Sequence, residues 1–167
     1  MKLYTTIFLF TIVLFSACNS NKDQTLFKSA SEKSNAKNYS EALKDYQEII
    51  NEYSDSEKAA ESIFAVAAMY HMYQIPNVSK EESLKKAVEY YQRLYKLFPK
   101  DERAPKALFM SGFILANELG NLDAGRLAYQ EFLNKFPKHE LASPVKMELE
   151  NLGKTPEEIL QQQTAKK

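Results

Sequence analysis

Ala87-Val88-Glu89-Tyr90-Tyr91-Gln92-Arg93-Leu94-Tyr95-Lys96-Leu97-Phe98-Pro99, followed by Lys100-Asp101-Glu102-Arg103-Ala104, is the stretch that decides the fold. A small residue at 87 is followed four positions on by Tyr91, seven on by Leu94 and eleven on by Phe98. Pro99 comes next, and Ala104 stands five residues beyond it. The same order recurs twice. Ala42 leads to Tyr46, Ile49, Tyr53, Ser54 and Ala59; Gly125 leads to Tyr129, Phe132, Phe136, Pro137 and Ala142. Offsets of four, seven and eleven fall on one helical face. The small residue admits a neighbouring helix and the aromatics fill the space beyond. The proline ends the helix because it cannot donate to the preceding turn.

Each terminator leads into a second kind of helix. After Pro99, Asp101 is placed as an N-cap and Pro105 fits the first turn. Leu108, Phe109 and Gly112 follow, and Ile63, Phe64 and Ala67 match them after Ser54. Leu26, Phe27 and Ala30 hold the same places ahead of Ala42. The spacing predicts helix pairs over 24–36 and 40–53, 57–73 and 81–98, and 102–119 and 122–136. Tyr91 and Leu94 should be buried where the middle pair meets its neighbours. A further helix begins near Ser143-Pro144 and ends at Gly153, and Thr155-Pro156-Glu157-Glu158 opens a short terminal helix with a capping-box pattern. No Val/Ile/Thr-rich alternation of the kind strands need follows residue 18. The middle pair carries extra residues between its helices, around Gln74-Ile75-Pro76-Asn77-Val78-Ser79. Ser79 and Glu82 make another capping box, and the insert is expected to expose Ile75 and Val78 on a loop.

The small residue, Tyr four on, apolar seven on and Pro twelve on resembles helix B of the tetratricopeptide repeat. Leu-Phe with Gly112, or Ile-Phe with Ala67, resembles its helix A. Ser54 replaces the proline in the first repeat and Gly125 the helix-B alanine in the third. The aromatic-Pro pair with Ala five on is similar to repeats of outer-membrane lipoproteins, among them those of β-barrel assembly and of Tol-associated control of cell-wall synthesis. The resemblance covers residues 24–160. It implies an all-α fold, a right-handed solenoid of about three tetratricopeptide helix pairs with a C-terminal capping helix and a short terminal helix. It also implies a concave groove lined by the A helices. Carried over position by position, the groove residues are Phe27, Ser31 and Asn35, then Glu61, Phe64, Ala68, His71 and Met72, then Lys106, Phe109, Phe113, Ala116 and Asn117. Of these Phe64, His71, Met72, Lys106, Phe109, Phe113 and Asn117 are the candidate partner-binding residues. Phe113 and Asn117 are expected one helical turn apart and facing inward.

The N-terminal end reads differently. Lys2 and the apolar run Leu3–Phe15 precede Ser16-Ala17-Cys18, and Asn19-Ser20-Asn21-Lys22-Asp23 turns polar at once. A basic start, a short apolar core and small residues before a cut describe a secretory signal. The run is shorter than the roughly 20 residues that span a bilayer as a helix. Phe15-Ser16-Ala17-Cys18 resembles the bacterial lipobox, with Phe15 where Leu is usual. That implies cleavage before Cys18 and acylation of it, and Cys18 is the only cysteine, so no intramolecular disulfide can form. Two or more acyl chains hold a protein stably at a bilayer. The expected organisation is a signal over 1–17, a lipid-anchored tether over 18–23, the solenoid over 24–153, and a short capping helix and tail over 154–167.

Charge is balanced, with 22 basic and 22 acidic residues, which gives no electrostatic reason to expect nucleic acid. The two histidines, His71 and His139, lie on different elements, and no zinc-binding His pair, Gly-rich phosphate loop or Gly-x-Ser-x-Gly is present. No catalytic residue, metal or cofactor is expected. The sequence points to a membrane-anchored, periplasm-facing adaptor, held at the outer membrane and binding envelope proteins or peptides through its concave face, as a monomer or as part of a hetero-complex. The alternative is a permanent structural subunit of an outer-membrane assembly or secretion complex.

Overall fold

The computed structural model describes residues 21–165. The expected signal, Cys18 and the residues after Ala165 lie outside them. Among the described residues every element is helical: α1 Lys22–Asn35, α2 Tyr39–Glu52, α3 Glu57–His71, α4 Lys80–Leu97, α5 Ala104–Phe113, α6 Leu122–Lys135, α7 Ala142–Asn151 and α8 Pro156–Ala165. Helix α5 runs on into a π-helical turn over Ile114–Glu118. Helices α1 to α7 pack as consecutive antiparallel-type pairs, each touching the next along the chain, and α1 also meets α3 directly. This is an all-helical repeat solenoid.

Every position of the helix-B pattern is accounted for by packing. Ala42, Ala87 and Gly125 are buried, as are Tyr46, Tyr91 and Tyr129, and Ile49, Leu94 and Phe132. Each tyrosine meets the helix-A phenylalanine of its own repeat. The ring centroids lie 5.7 Å apart for Phe27–Tyr46, 5.5 Å for Phe64–Tyr91 and 6.2 Å for Phe109–Tyr129, within the range of favourable aromatic pairs. The third repeat replaces alanine by Gly125 for a local reason. A Cβ there would stand 2.6 Å from the Ala116 Cβ and 3.0 Å from its Cα.

The connections follow one rule. Helices α1 and α3 and the π turn each end through one residue in the left-handed region: Lys37 (φ 63°), Tyr73 (φ 56°) and Gly120 (φ 66°). The next amide closes the cap, with Asn38 N donating to Lys33 O at 2.8 Å, Gln74 N to Met69 O at 2.9 Å, and Asn121 N to Leu115 O at 2.7 Å. N-caps are supplied by Ser56, Ser79 and Asn121. The terminal capping box is complete: Glu158 N donates to Thr155 Oγ1, and Thr155 N to the Glu158 carboxylate.

Two local expectations are corrected. Asp101 is not the N-cap of α5, which is Arg103. The Asp101 carboxylate instead accepts the Arg103 backbone N–H at 2.8 Å and grips its guanidinium, capping the turn ahead of the helix. The insert does not expose Ile75 and Val78. Ile75 is buried and Val78 packs half-buried on the core, because two branched apolar side chains gain more from leaving water than from projecting into it. The loop is stitched down beside them, where Ser83 Oγ donates to Tyr70 O at 2.6 Å.

Candidate concave binding surface

The A helices are tied to one another by side chains, not only through the B helices between them. Lys58 of α3 sits over the Phe27 ring of α1 at 4.8 Å, and Lys106 of α5 over the Phe64 ring of α3 at 5.6 Å. Each phenylalanine thus packs one side on its own helix-B tyrosine and takes a cation from the following repeat, an attraction of about 0.5–1 kcal/mol at exposed sites. Lys58 also pairs with Glu61 at 2.7 Å, and Glu61 lies 3.9 Å from the Arg103 guanidinium. Burial pulls the Arg103 pKa down, but the Asp101 carboxylate outweighs it and holds the group above its ordinary value.

A second cluster sits where these helices end. His71 Nε2 lies 2.6 Å from Glu118 Oε1, and the Tyr73 hydroxyl donates to Glu118 Oε2 at 3.1 Å. Partial burial and the Glu118 bond push the Tyr73 hydroxyl pKa up. The His71 ring also stands edge-on to Tyr91 at 6.5 Å. Glu118 belongs to the π turn, so the cluster joins the second repeat to the third. Beyond it, Asn117 Nδ2 donates to the Glu148 carboxylate of α7 at 3.4 Å.

The candidate residues divide three ways. Phe64, Phe109 and Phe113 are half-buried, His71 is half-buried in its carboxylate contact, and Met72, Lys106 and Asn117 are exposed. Lys106 makes no ion pair among the described residues, and its ammonium lies over the Phe64 ring. Ala116 does not line the groove. It is buried against Gly125, because the π turn carries an extra residue and changes the phase of the helix after Phe113. For the same reason Phe113 and Asn117 are not separated by an ordinary helical turn. The wider turn is closed by Leu119 N donating to Ile114 O at 2.9 Å.

Sequence reasoning missed Lys58, Arg103, Tyr73, Glu118 and Glu148. Lys58 and Arg103 carried a signal, since both stand six residues before the helix-A phenylalanine of their repeat. Glu118 carried none, because its position depends on the π turn. Deeper in, burial drives the Tyr91 hydroxyl up to about 12. The Tyr129 hydroxyl is pushed up by burial and then by the Glu148 charge, and it is buried without a hydrogen-bond partner among the described residues. No cluster of His, Cys, Asp or Glu among the described residues is arranged to hold a metal ion, and no described helix is long and apolar enough to cross a membrane.

A family model described as the tetratricopeptide repeat matches residues 24–56 and 106–139. These are the first and third repeats; the second, with its long A-to-B connection, falls between them. No curated protein matches the chain. Residues 24–56 and 106–139 thus match the tetratricopeptide repeat, within an all-helical repeat solenoid.

Proposed function

We propose that the protein is a membrane-anchored scaffold that faces the periplasm and binds protein or peptide partners along the concave face of its solenoid. One observation carries this reading. The A helices present a continuous strip of aromatic and cationic side chains, joined across repeats, that leaves Met72, Lys106 and Asn117 exposed. A peptide laid along the strip would place apolar side chains against Phe109 and Phe113 and an acidic group near Lys106, the mode by which helical grooves take partner segments. The nearest titratable groups, His71, Tyr73 and Glu118, bond to one another across two repeats. That arrangement ties the end of α3 to the π turn. The lipobox-like Phe15-Ser16-Ala17-Cys18 supports anchoring through an acylated Cys18, with the few polar residues between it and α1 holding the solenoid beside the bilayer.

The test is capture of partners by the acylated protein from its own envelope, followed by affinity measurement with Asn117→Ala and Lys106→Ala. A hot-spot truncation costs about 2 kcal/mol or more of binding, a neutral rim contact far less. At least one variant should lose binding on that scale while keeping the wild-type melting temperature. If both variants keep full affinity for the captured partner, the concave face is not the binding surface.

A further inference from the structure

Helix α7 opens as the A helices do, with Ala142 in the place of Ala59 and Ala104, and then departs from them. Six residues after those alanines, Ala65 of α3 and Met110 of α5 give way to Glu148. Its carboxylate is half-buried and, among the described residues, meets no lysine, arginine or histidine. Half-buried carboxylates elsewhere in the repeats do meet one. Asp45 has Lys33 at 2.6 Å, Glu61 has Lys58 at 2.7 Å, and Asp101 has Arg103 at 2.7 Å. The register supplies the reason. Arg103 and Lys106 bring cations to Glu61 and Phe64 of α3, whereas Leu141 and Pro144 stand in their places at α7.

The one hydrogen bond that Glu148 receives among the described residues is long, from Asn117 Nδ2 at 3.4 Å. Beside this pair lies Tyr129, fully buried, with its hydroxyl unpartnered among the described residues. Burial raises the pKa of that hydroxyl, the Glu148 charge raises it further and the Asn117 amide opposes them, so the hydroxyl faces both groups. Its counterpart in the first repeat, Tyr46, has Ser31 Oγ at 3.3 Å. A single amide therefore stands between a carboxylate and a phenol, and it serves only the carboxylate. A buried hydroxyl left unpaired costs free energy, which a ligand that brings about its pairing recovers.

We infer that Glu148, with Asn117 beside it, is the docking site for an arginine side chain of a partner protein. The guanidinium would donate to the Glu148 carboxylate and to Asn117 Oδ1, two acceptors that suit its planar fork and its weak hydration. With Glu148 taken by the cation, Asn117 Nδ2 is released to donate to Tyr129 Oη, and the buried hydroxyl becomes paired only in the complex. The inference rests on the concave-face reading and extends it: the partner segment carries an acidic group near Lys106 and an arginine at Glu148.

The experiment is an NMR titration of the purified full-length protein with N-acetyl-argininamide, N-acetyl-lysinamide and N-acetyl-citrullinamide. It follows the Asn117 side-chain amide, the Glu148 backbone amide and the Tyr129 ring. Saturable shifts are expected with the argininamide, with a dissociation constant in the millimolar range appropriate to so small a ligand. The citrullinamide, of the same shape without the charge, should bind several-fold more weakly, and so should the lysinamide. Glu148→Gln should reduce the argininamide to the level of the citrullinamide. Tyr129→Phe removes the hydroxyl and leaves Glu148 in place; it should weaken the argininamide several-fold without lowering the melting temperature. Absence of saturable shifts, or equal binding to wild type and Glu148→Gln, overturns the site. Equal binding of the citrullinamide overturns recognition of a cation, and equal binding of the lysinamide overturns recognition of the planar fork. Unchanged affinity in Tyr129→Phe overturns the part given to the buried hydroxyl. If Lys106→Ala weakens a captured partner while the argininamide gives no shifts, this site alone is removed; the reverse result removes the concave-face reading and keeps this site.

Discussion

Gly125→Ala puts back the residue that the other two repeats use at this place, and the structure expects it to be harmful. Two effects oppose each other. Alanine is better than glycine in a helix interior by about 1 kcal/mol. Against that, the added Cβ would stand 2.6 Å from the Ala116 Cβ, 3.0 Å from its Cα and 3.1 Å from its backbone N. Two of those three atoms are backbone, so no side chain can swing aside. Relief requires α6 to move away from the π turn, and overpacking of this kind costs about 1–3 kcal/mol. The clash should win by about 1 kcal/mol, which lowers the melting temperature of a chain this size by about 3 °C. Thermal and urea unfolding of the single variants Gly125→Ala and Ala116→Gly and of the double variant measure the coupling directly. Removing the Ala116 methyl should make Gly125→Ala better tolerated, with an interaction energy between about 0.5 and 3 kcal/mol. A Gly125→Ala protein more stable than wild type by the full helix-propensity gain, with no coupling to Ala116, would show that the helices do not approach this closely.

Leu94 is fully buried at the junction of the middle repeat. Leu94→Ala should cost about 2–5 kcal/mol in urea unfolding, and a loss below about 0.5 kcal/mol, within the range of surface substitutions, would break the assigned register. Asp45 supplies an acid-side test. Burial alone would raise its pKa, but bonds from Lys33 and Ser29 more than offset this and hold it below the ordinary value. Its stabilisation is therefore present above the unfolded-state value of about 3.9 and is lost as pH falls through the lower folded one. Asp45→Asn should flatten the acid limb of the stability profile and leave the slope near neutrality alone; an unchanged acid limb would remove Asp45 from the account. Cys18→Ser should block acylation, leaving an unprocessed precursor or a mislocalised form. Recovery of the variant in membranes at mature mass, checked by fractionation and mass spectrometry, would defeat the lipobox reading.

The helical pairs were legible because their determinants are local. A small residue, a tyrosine four on and a large apolar residue seven on must share one face, and helix geometry alone requires it. The pairing of Phe27 with Tyr46, and of its two counterparts, follows from the same register. The candidate surface was legible only where it obeyed the repeat. Phe64 and Phe109 pack on the helix-B tyrosines of their own repeats, as the register requires, while Ala116 was misplaced because a π turn changes the phase of every residue after Phe113. Hydrogen bonding five residues back leaves no mark in composition or hydrophobic spacing. Ile75 and Val78 failed for another reason. A loop reading from Pro76 and Asn77 says where the chain turns, but not which way its apolar side chains fall.

The departures from the repeat meet at one place. In the second repeat, α3 stops early and passes through Tyr73, a bulky aromatic held at φ 56° where the third repeat uses Gly120. A left-handed conformation costs a residue with a Cβ about 1–2 kcal/mol. In the third repeat, α5 ends in a π turn, a feature found often at functional sites. Either irregularity alone is a local accident of chain length. Together they bring Tyr73 and His71 from one repeat onto Glu118 from the next, beside the exposed Met72 and Asn117. Regular repeats would place ordinary helix ends here, with no carboxylate between them. The left-handed cap is shared with the ends of α1 and of the π turn, but here a tyrosine adopts it, and strain persists where surrounding structure over-determines it. That makes the end of α3 and the π turn after α5 the part of the candidate surface whose shape is least explained by the repeat.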